Sequence, residues 1–426
     1  MIPADAVPFS EALRFWLKLG FISFGGPTGQ IAIMHQELVE KRRWISEGRF
    51  LHALNFCMLL PGPEATQLAT YIGWLMHRTW GGLVAGTLFV LPSVFILIGL
   101  SWVYVTYGNV PLVAGLFHGI KPAVTAIVLV AAHRIGARAL RHPAKWTIAA
   151  VAFVAIFAFG VPFPLIILAA GMLGYLGGQH LPAAFGQSAS HAAAKGYGPA
   201  LIDDGTPAPP HALFSWGKLW ACAGAGLALW AAALGLLVAH SGWHGALAQM
   251  AWFFTKAALL TFGGAYAVLP YVFQGAVEQH GWLSAAQMID GLALGETTPG
   301  PLIMVVAFVG YLGAGAAGAL VATFFTFLPS FVFIFAGAPF IETTHGNLKF
   351  SAPLAGITAA VVGVIVNLAL FFAWHVLWPG GWAGGFDAAS AVIGLAALAA
   401  LLRYKAGVIP VIGACAAAGL AVTLLA

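Results

Sequence analysis

The feature that most constrains this chain is a series of long apolar runs with almost no charge. The runs are 83–100, 123–132, 219–239, 354–376 and 406–426. Several reach the about 20 residues with which an α-helix crosses ~30 Å of hydrocarbon. They lack the alternation of apolar and polar residues that is typical of outer-membrane β-strands. Charged residues make up 7% of the 426 residues, against about 25% in soluble domains. We therefore predict an all-α polytopic membrane protein.

The residues around these runs disfavour several other classes of protein. Asp5 and Glu11 precede the first apolar segment in place of a basic stretch, so we expect no cleavable signal peptide. Cys57, Cys222 and Cys415 lie in apolar segments without metal-type spacing, and we interpret them as packing residues. The sequence has neither a Walker loop nor a dinucleotide fingerprint. We expect no cofactor, no bound metal, no catalytic residue and no nucleic-acid partner.

The chain contains an internal repeat with an offset of 238 positions. Phe24-Gly25-Gly26 recurs as Phe262-Gly263-Gly264, and Pro61-Gly62-Pro63 recurs as Pro299-Gly300-Pro301. Further pairs at offsets of 238 or 237 are Lys18 and Lys256, Trp44 and Trp282, Ser46 and Ser284, and Leu91-Pro92-Ser93 and Leu328-Pro329-Ser330. We predict a first transmembrane repeat over residues 1–180 and a linker over 181–213. Residues 214–426 should hold one additional helix followed by the second repeat.

The distribution of Lys and Arg predicts that the two repeats have opposite orientations. Basic residues cluster at 41–49 and 134–145 in the first half, whereas the equivalent loops 274–286 and 375–387 contain neither Lys nor Arg. Lys and Arg favour the cytoplasmic side of a membrane, and inverted repeats are frequent in transporters. The fold predicted is thus two inverted-topology repeats in a cell inner (plasma) membrane.

Each half also contains two apolar segments that are interrupted near the middle. Segment 50–76 is broken by Pro61-Gly62-Pro63, through which a helix cannot run because proline lacks the amide donor and clashes with the preceding turn. If the broken segments are re-entrant hairpins, every basic loop is cytoplasmic. This predicts nine membrane-spanning segments and four re-entrant hairpins, with the N-terminus cytoplasmic and the C-terminus outside. In the alternative, the broken segments span the bilayer and residues 134–145 lie outside.

These breaks predict a site for an anion, unless they are only packing kinks. Irregular backbone at membrane depth needs protein or water partners, and a half-helix that begins there presents free amides and a positive dipole end. Lys18 and Lys256 would add charge, unless they snorkel to the interface. Threonine and glutamine side chains supply hydrogen-bond donors. The predicted substrate-binding residues are Lys18, Phe24, Gly25, Gly26, Pro61, Gly62, Pro63, Thr66, Gln67, Lys256, Phe262, Gly263, Gly264, Thr297, Thr298, Pro299, Gly300 and Pro301.

Two carboxylates lie beside the Pro-Gly-Pro triplets. Glu64 follows the first triplet directly, and Glu296 precedes the second by three residues. Each could cap a helix N-terminus, pair with a lysine, or carry a coupling proton. Glu296 is the better proton candidate because it lies in the less charged half. We expect both residues to act in coupling or in tuning the charge of the site.

These motifs resemble those of the chromate ion transporter family in its long, two-domain form. The resemblance rests on 21–27, 61–69, 261–264 and 295–301 and extends over essentially the whole chain. It implies chromate efflux, driven by the membrane potential or the proton gradient, and chromate resistance. Sulfate is nearly isosteric with chromate, so a sulfate or other oxyanion transporter is an alternative, and a homodimer in the lipid bilayer is left open. A membrane-embedded enzyme or scaffold is the rival class, but an enzyme would want a convergent catalytic set, and Asp290 stands alone.

Overall fold

The computed structural model describes residues 7–24, 26–108, 110–185, 197–262, 264–344, 351–382 and 384–425, and these are predominantly α-helical. The α-helices are α1 (Phe9–Ile22), α2 (Gly26–His35), α3 (Glu47–Leu59), α4 (Glu64–Tyr107), α5 (Pro111–Ala139), α6 (Pro143–Phe159), α7 (Phe163–His180), α8 (Pro182–Phe185), α9 (Trp216–Ser241), α10 (Ala246–Leu259), α11 (Ala265–Phe273), α12 (Ala285–Thr297), α13 (Val305–Thr344), α14 (Ser351–Leu377), α15 (Ala388–Leu402) and α16 (Val408–Leu425). Six of them are long and apolar enough to cross a membrane, and two shorter ones are also apolar. The prediction of an all-α polytopic membrane protein is confirmed.

Helices α4 and α13 each consist of two segments that fold back on each other. The backbone leaves the helical region at residues 77 and 78 and at residues 314 and 315. A Cβ added to Gly73 would lie 2.5 Å from the carbonyl oxygen of Gly81, and one added to Gly310 would lie 2.6 Å from the carbonyl carbon of Gly318. We therefore divide α4 into α4a (64–76) and α4b (79–107), and α13 into α13a (305–313) and α13b (316–344).

Four helical hairpins result, and each turns at one of the predicted breaks. Their pairs of legs are α1 with α2, α3 with α4a, α10 with α11, and α12 with α13a. In the first hairpin, Glu11 on α1 forms an ion pair at 3.2 Å with Arg42, which follows the π-helical continuation of α2. In the other three, the contacts between legs are the rings of Phe56 and Tyr71 at 6.0 Å, the stacked rings of Phe253 and Tyr271 at 5.0 Å, and Gly291 against the ring of Phe308. The broken half-helices predicted from the prolines and glycines are present.

The repeat is visible in structural details as well as in sequence. Both α2 and α11 continue into a six-residue π-helical turn, Gln36–Lys41 and Gln274–Gln279, at an offset of 238. Ser46 and Ser284 cap the N-termini of α3 and α12 in the same way. Helices α1–α7 therefore correspond to α10–α16, and α9 is the additional helix before the second repeat.

The directions of two long helices, α4b and α13b, show that the two repeats are inverted. We call the end of the molecule at which α3 begins the first end, and the opposite one the second end. Helix α4b leaves the first end and brings Tyr104 to Asp290 on α12 of the second half, at 2.8 Å. Helix α13b runs the other way and brings Glu342 to Arg49 on α3, also at 2.8 Å. The hairpins of the two halves thus point toward each other from opposite ends.

The last three helices of each repeat are exchanged between the halves. Helix α5 packs against α15 and α16, whereas α14 packs against α6 and α7. The largest hydrophobic cluster consequently contains residues of both halves. The two repeats form one interlocked unit.

The segment between the halves packs on the first end. Ile202 forms an isolated parallel bridge with Ile45, and the Ser46 hydroxyl donates a hydrogen bond to Asp204 at 2.6 Å. A 3₁₀ turn, Pro210–Ala212, follows. Residues 186–196 of the predicted linker lie outside the described residues, and the predicted domain boundaries stay a prediction.

Candidate functional site

The turns of the four hairpins meet in the interior through two reciprocal hydrogen bonds. The amide of Gly62 donates to the carbonyl oxygen of Thr261 at 2.7 Å, and the amide of Gly300 donates to the carbonyl oxygen of Ser23 at 2.8 Å. Donors and acceptors are related by the offset of 238, so the two bonds are equivalent under the repeat. Each Pro-Gly-Pro triplet is thereby joined to the Gly-Gly break of the other half. We call this meeting point the crossing.

Glycine is required at the centre of both triplets by backbone conformation and by space. The φ angles of Gly62 and Gly300 are +125° and +104°, which side chains rarely adopt. A Cβ on Gly62 would collide with the hydroxyl of Ser330 and lie 2.7 Å from Nε2 of Gln67, and one on Gly300 would lie 2.7 Å from Cβ of Ser93. The Leu-Pro-Ser motif of each half therefore packs against the Pro-Gly-Pro triplet of the other.

Two buried glutamines tie the turns together. The Gln30 amide donates to the carbonyl oxygens of Gly300 and, at 3.5 Å, of Ser23. The Gln67 amide donates to the carbonyl oxygen of Pro61 at 2.8 Å and to Ser330 at 3.4 Å. These bonds connect both triplets to neighbouring elements and keep the turns in register.

Four fully buried polar atoms around the crossing lack a hydrogen-bond partner among the described residues. They are Oγ1 of Thr66, Oγ of Ser93, Oε1 of Gln30 and Oε1 of Gln67. Leaving such an atom unsatisfied costs about 1–3 kcal/mol, and an unsatisfied group in a native structure calls for an explanation such as a functional role. The two hydroxyls can donate to an oxyanion. The crossing is therefore the candidate binding site.

Helix starts add further donors around the same point. Helices α2, α4, α11 and the 3₁₀ turn Leu302–Met304 all begin at the hairpin turns. The first amides of a helix have no intrahelical acceptor, and they carry the positive end of its dipole. The amides of Gly62 and Gly300 are already donated to protein carbonyls, so the amides open to a ligand are those after the prolines. Such a set suits an anion.

The two predicted carboxylates occupy different environments. Glu296 is buried and accepts a hydrogen bond from the hydroxyl of Tyr266, and the charge of Arg134 acts on both groups. Glu64 is half-buried at the first position of α4, where a helix dipole favours a carboxylate. The observed hydrogen-bond partner of Glu296 is therefore Tyr266 and not one of the predicted lysines.

The two predicted lysines are on the outer surfaces of their hairpins. Both side chains are exposed, and the ammonium group of Lys256 lies 5.8 Å from the ring centre of Trp252. The charge of Lys18 acts on Glu37 near the first end. In the part of the chain that the structure describes, neither lysine hydrogen-bonds to the crossing. Their role in anion binding stays a prediction.

The other predicted residues divide into those at the turns and those whose hydroxyls are hydrogen-bonded to nearby carbonyls. The prolines of both triplets flank the crossing, and Phe24 and Phe262 lie half-buried at the breaks, while Gly25 and Gly263 lie outside the described residues. The hydroxyls of Thr297 and Thr298 donate to carbonyls of their own helix, Ala293 at 3.1 Å and Gly295 at 3.2 Å. Their donors are therefore used within α12.

Sequence reasoning missed Gln30, Ser93, Ser330 and Tyr266 as site residues. The two serines belong to a duplicated Leu-Pro-Ser motif, which was a usable signal because a repeat preserves few polar positions in an apolar segment. Gln30 and Tyr266 follow the Gly-Gly breaks within a few residues, but they are not repeated. Only their contacts identify them.

Comparisons with known proteins agree with the two-repeat organisation. A family model described as chromate transporter matches residues 10–175 and 248–420, two ranges whose starts are separated by the repeat offset. The chain is 31% identical to the chromate transport protein of Cupriavidus metallidurans, over 94% of this chain and 90% of the relative. It is 34% identical to the chromate transport protein of Pseudomonas aeruginosa, over 85% of this chain and 81% of the relative. A probable chromate transport protein of Synechococcus elongatus is 29% identical, over 85% and 84%. No solved structure matches.

Proposed function

Because the chain belongs to the chromate transporter family, we propose that it exports chromate from the cell through the crossing and so confers chromate resistance. The observation that carries the proposal is the group of fully buried, unpartnered polar atoms at the crossing, among the described residues. Thr66 and Ser93 donate hydroxyls to the oxyanion, and the first turn of α4 donates amides. The proposed activity makes and breaks no covalent bond, so we infer a transporter and not an enzyme.

The charges support an orientation for this transport. Arg43, Arg49 and Arg78 lie at the first end, and so do the basic residues of 134–145 where α5 ends and α6 begins. The positive-inside tendency makes the first end cytoplasmic. Among the described residues, nine helical segments connect the two ends: α4b, α5, α6, α7, α9, α13b, α14, α15 and α16. In this proposal they cross the plasma (inner) membrane, with the N-terminus inside and the C-terminus outside. A homodimer and sulfate as a second substrate stay predictions.

The membrane potential supplies the driving force in this proposal. Chromate near neutral pH is largely a dianion, and the cell interior is negative. One charge moving through about 100 mV is worth ~2.3 kcal/mol, so a departing dianion gains roughly 4.6 kcal/mol. At ~1.4 kcal/mol per tenfold ratio this sustains an outward gradient of about three orders of magnitude. Proton antiport is not required, and Glu296 with Tyr266 tunes the charge of the site so that bound substrate can leave.

Export is tested by chromate uptake into inverted membrane vesicles that contain the protein. Uptake should exceed that of vesicles without the protein and should increase with an inside-positive potential. Excess sulfate should reduce the uptake if it occupies the same site. Uptake equal to that of control vesicles contradicts the proposal.

Energy coupling is tested in proteoliposomes whose voltage is set by a potassium gradient and valinomycin. Transport should follow the voltage at zero pH gradient and persist in Glu296→Gln. Transport that follows only the pH gradient, and is lost in Glu296→Gln, would establish obligatory proton coupling in its place.

The site itself is tested with Thr66→Val and Ser93→Ala. A hydrogen bond to a charged group is worth about 1.5–3 kcal/mol, so each variant should bind chromate roughly 10- to 100-fold more weakly. Thr326→Val is the matched control, because that buried hydroxyl donates to the Ala322 carbonyl of its own helix at 2.7 Å. Equal affinity in all three variants and the parent protein contradicts a site at the crossing.

A further inference from the structure

We propose that two ion pairs with buried carboxylates, Arg49–Glu342 and Lys121–Asp290, are the gates that close the crossing at the first and the second end. This inference rests on the proposed function, because it assigns the route by which substrate reaches the crossing. Each pair joins a hairpin leg of one half (α3 or α12) to a long helix of the other half (α13b or α5). Opening a pair therefore separates the two halves at one end of the molecule only.

The first-end pair holds both legs of one hairpin against the other half. The guanidinium of Arg49 on α3 lies 2.8 Å from the carboxylate of Glu342 on α13b. The hydroxyl of Tyr71 on α4a donates to the same carboxylate, and Arg49 also donates to the carbonyl oxygen of Thr206 in the segment between the halves. Arg49 and Glu342 are 12% and 5% exposed, so water contributes little to their solvation.

The second-end pair also joins a hairpin leg to the other half, with the carboxylate now on the hairpin leg and the cation on a long helix. The carboxylate of Asp290 on α12 lies 3.5 Å from the ammonium group of Lys121 on α5 and accepts a hydrogen bond from Tyr104 on α4b at 2.8 Å. Its other oxygen is buried and has no partner among the described residues. A carboxylate with one oxygen unsatisfied is held less firmly than Glu342, so the second end should open more readily.

The repeat does not carry these residues from one half to the other. The position equivalent to Asp290 is His52, and the position equivalent to Glu342 is Val105. Charged clusters thus occupy equivalent places in the structure without equivalent sequence. Replacing a buried ion pair by apolar residues is often neutral or stabilising. Stability of packing therefore does not explain two such clusters, whereas a contact that must break and re-form does.

The positions of the pairs fit gates at the two membrane surfaces. Arg49 and Asp290 are 13 and 10 residues from the central glycine of their hairpins, or about 15–20 Å along a helix at ~1.5 Å per residue. Together these lengths are close to the ~30 Å of a bilayer core. Both pairs are formed in this structure, so it represents a conformation that is closed at both ends. In inverted-repeat transporters, access alternates by movement of one repeat against the other.

The test measures access to the crossing from each side, in the absence of chromate. Cys57, Cys222 and Cys415 are replaced by alanine, and Thr66→Cys provides a single reporter thiol. A membrane-impermeant thiol reagent is applied to right-side-out and to inverted vesicles. Glu342→Gln should speed labelling about tenfold or more from the first end only, because removing one partner leaves the other charge buried and unpaired. Asp290→Asn should do so from the second end only, because it removes the charge that attracts Lys121, whose side chain is 29% exposed and can turn to water.

Two carboxylates outside the proposed route provide matched controls. Glu11→Gln removes the ion pair with Arg42 near the first end, at 3.2 Å, and Asp387→Asn removes the carboxylate charge that lies 3.5 Å from the His118 imidazole near the second end. Asparagine also keeps the N-cap of α15. Both controls should label at the parental rate from both sides.

The proposal is overturned if Glu342→Gln and Asp290→Asn label like the controls, or if each variant labels faster from both sides. If Glu342→Gln does not accumulate in the membrane, Arg49→Cys with Glu342→Cys replaces it. A bifunctional thiol reagent that joins this pair should then block labelling of the reporter from the first end and leave labelling from the second end unchanged. Transport is measured separately in the parent protein, which keeps Thr66; side-specific labelling of the reporter variants, together with a parent protein that moves no chromate, would refute the proposed function and leave the gates standing.

Discussion

Alanine substitutions at the two central glycines should be equally harmful alone but should differ in what rescues them. Gly62→Ala places a side chain at a φ angle of +125°, and Gly300→Ala places one at +104°. Each of these conformations costs about 1–3 kcal/mol. Each new methyl group also collides with a neighbour, and such overpacking typically costs about 1–3 kcal/mol. Either variant should lose roughly 2–6 kcal/mol of stability.

The identity of the colliding atom determines the rescue. At Gly62 the closest collision is with the hydroxyl oxygen of Ser330, and Nε2 of Gln67 follows at 2.7 Å; at Gly300 the closest collision is with Cβ of Ser93, also at 2.7 Å. Ser330→Ala removes the colliding oxygen, so the double variant with Gly62→Ala should regain about 1–3 kcal/mol. Ser93→Ala keeps Cβ and removes only Oγ, which lies 3.1 Å from the added methyl group, so it should regain little in Gly300→Ala. Ser93→Gly removes Cβ and should restore part of the loss, less the ~0.5–1 kcal/mol that glycine costs inside a helix.

The assay is equilibrium unfolding in mixed micelles, followed by tryptophan fluorescence and analysed as two double-mutant cycles. The Gly62–Ser330 cycle should give a coupling energy of about 1–3 kcal/mol, within the range measured for residues in contact. The cycle of Gly300→Ala with Ser93→Ala should give a value near zero. Equal coupling energies in the two cycles would refute the assigned contacts and with them the packing of each triplet on the opposite half.

Three further predictions address orientation, the lysines and access to the site. Single cysteines near Arg43 and Arg138 should resist an external impermeant thiol reagent, and ones near Gln279 and Gly381 should react; external labelling near Arg138 would contradict the re-entrant arrangement. Lys18→Ala and Lys256→Ala should raise the KM for chromate several-fold and change the transport rate at saturating chromate little, because both lysines are exposed away from the crossing. Lys18→Arg and Lys256→Arg should restore the KM because arginine keeps the charge. Loss of transport at saturating chromate would instead place them in direct contact with substrate. Gly62→Leu and Gly300→Leu should abolish transport by filling the crossing, and undiminished chromate resistance in both variants would reduce the triplets to packing kinks.

The sequence by itself determined the elements of this fold, because their causes are local. Apolar runs without charge require helices in a bilayer, and Pro61-Gly62-Pro63 interrupts a helix wherever it stands. The offset of 238 positions identifies the repeat, and the placement of Lys and Arg predicts the inversion that α4b and α13b display. None of these inferences depends on a contact between distant residues.

Only the tertiary structure decided which residues the crossing brings together. The amide of Gly62 donates a hydrogen bond to Thr261, and the amide of Gly300 donates one to Ser23. Both bonds join residues of different halves that are far apart in the sequence, and no local pattern specifies such pairs. Lys18 and Lys256 show the same limit, since an apolar neighbourhood suggested a buried charge, but the face that α1 and α10 turn outward exposes both. The sequence identified Glu296 as a carboxylate beside a Pro-Gly-Pro triplet, yet its partner Tyr266 lies on another leg of the second half. Local chemistry selects helices and breaks, whereas packing between the inverted halves selects the partners.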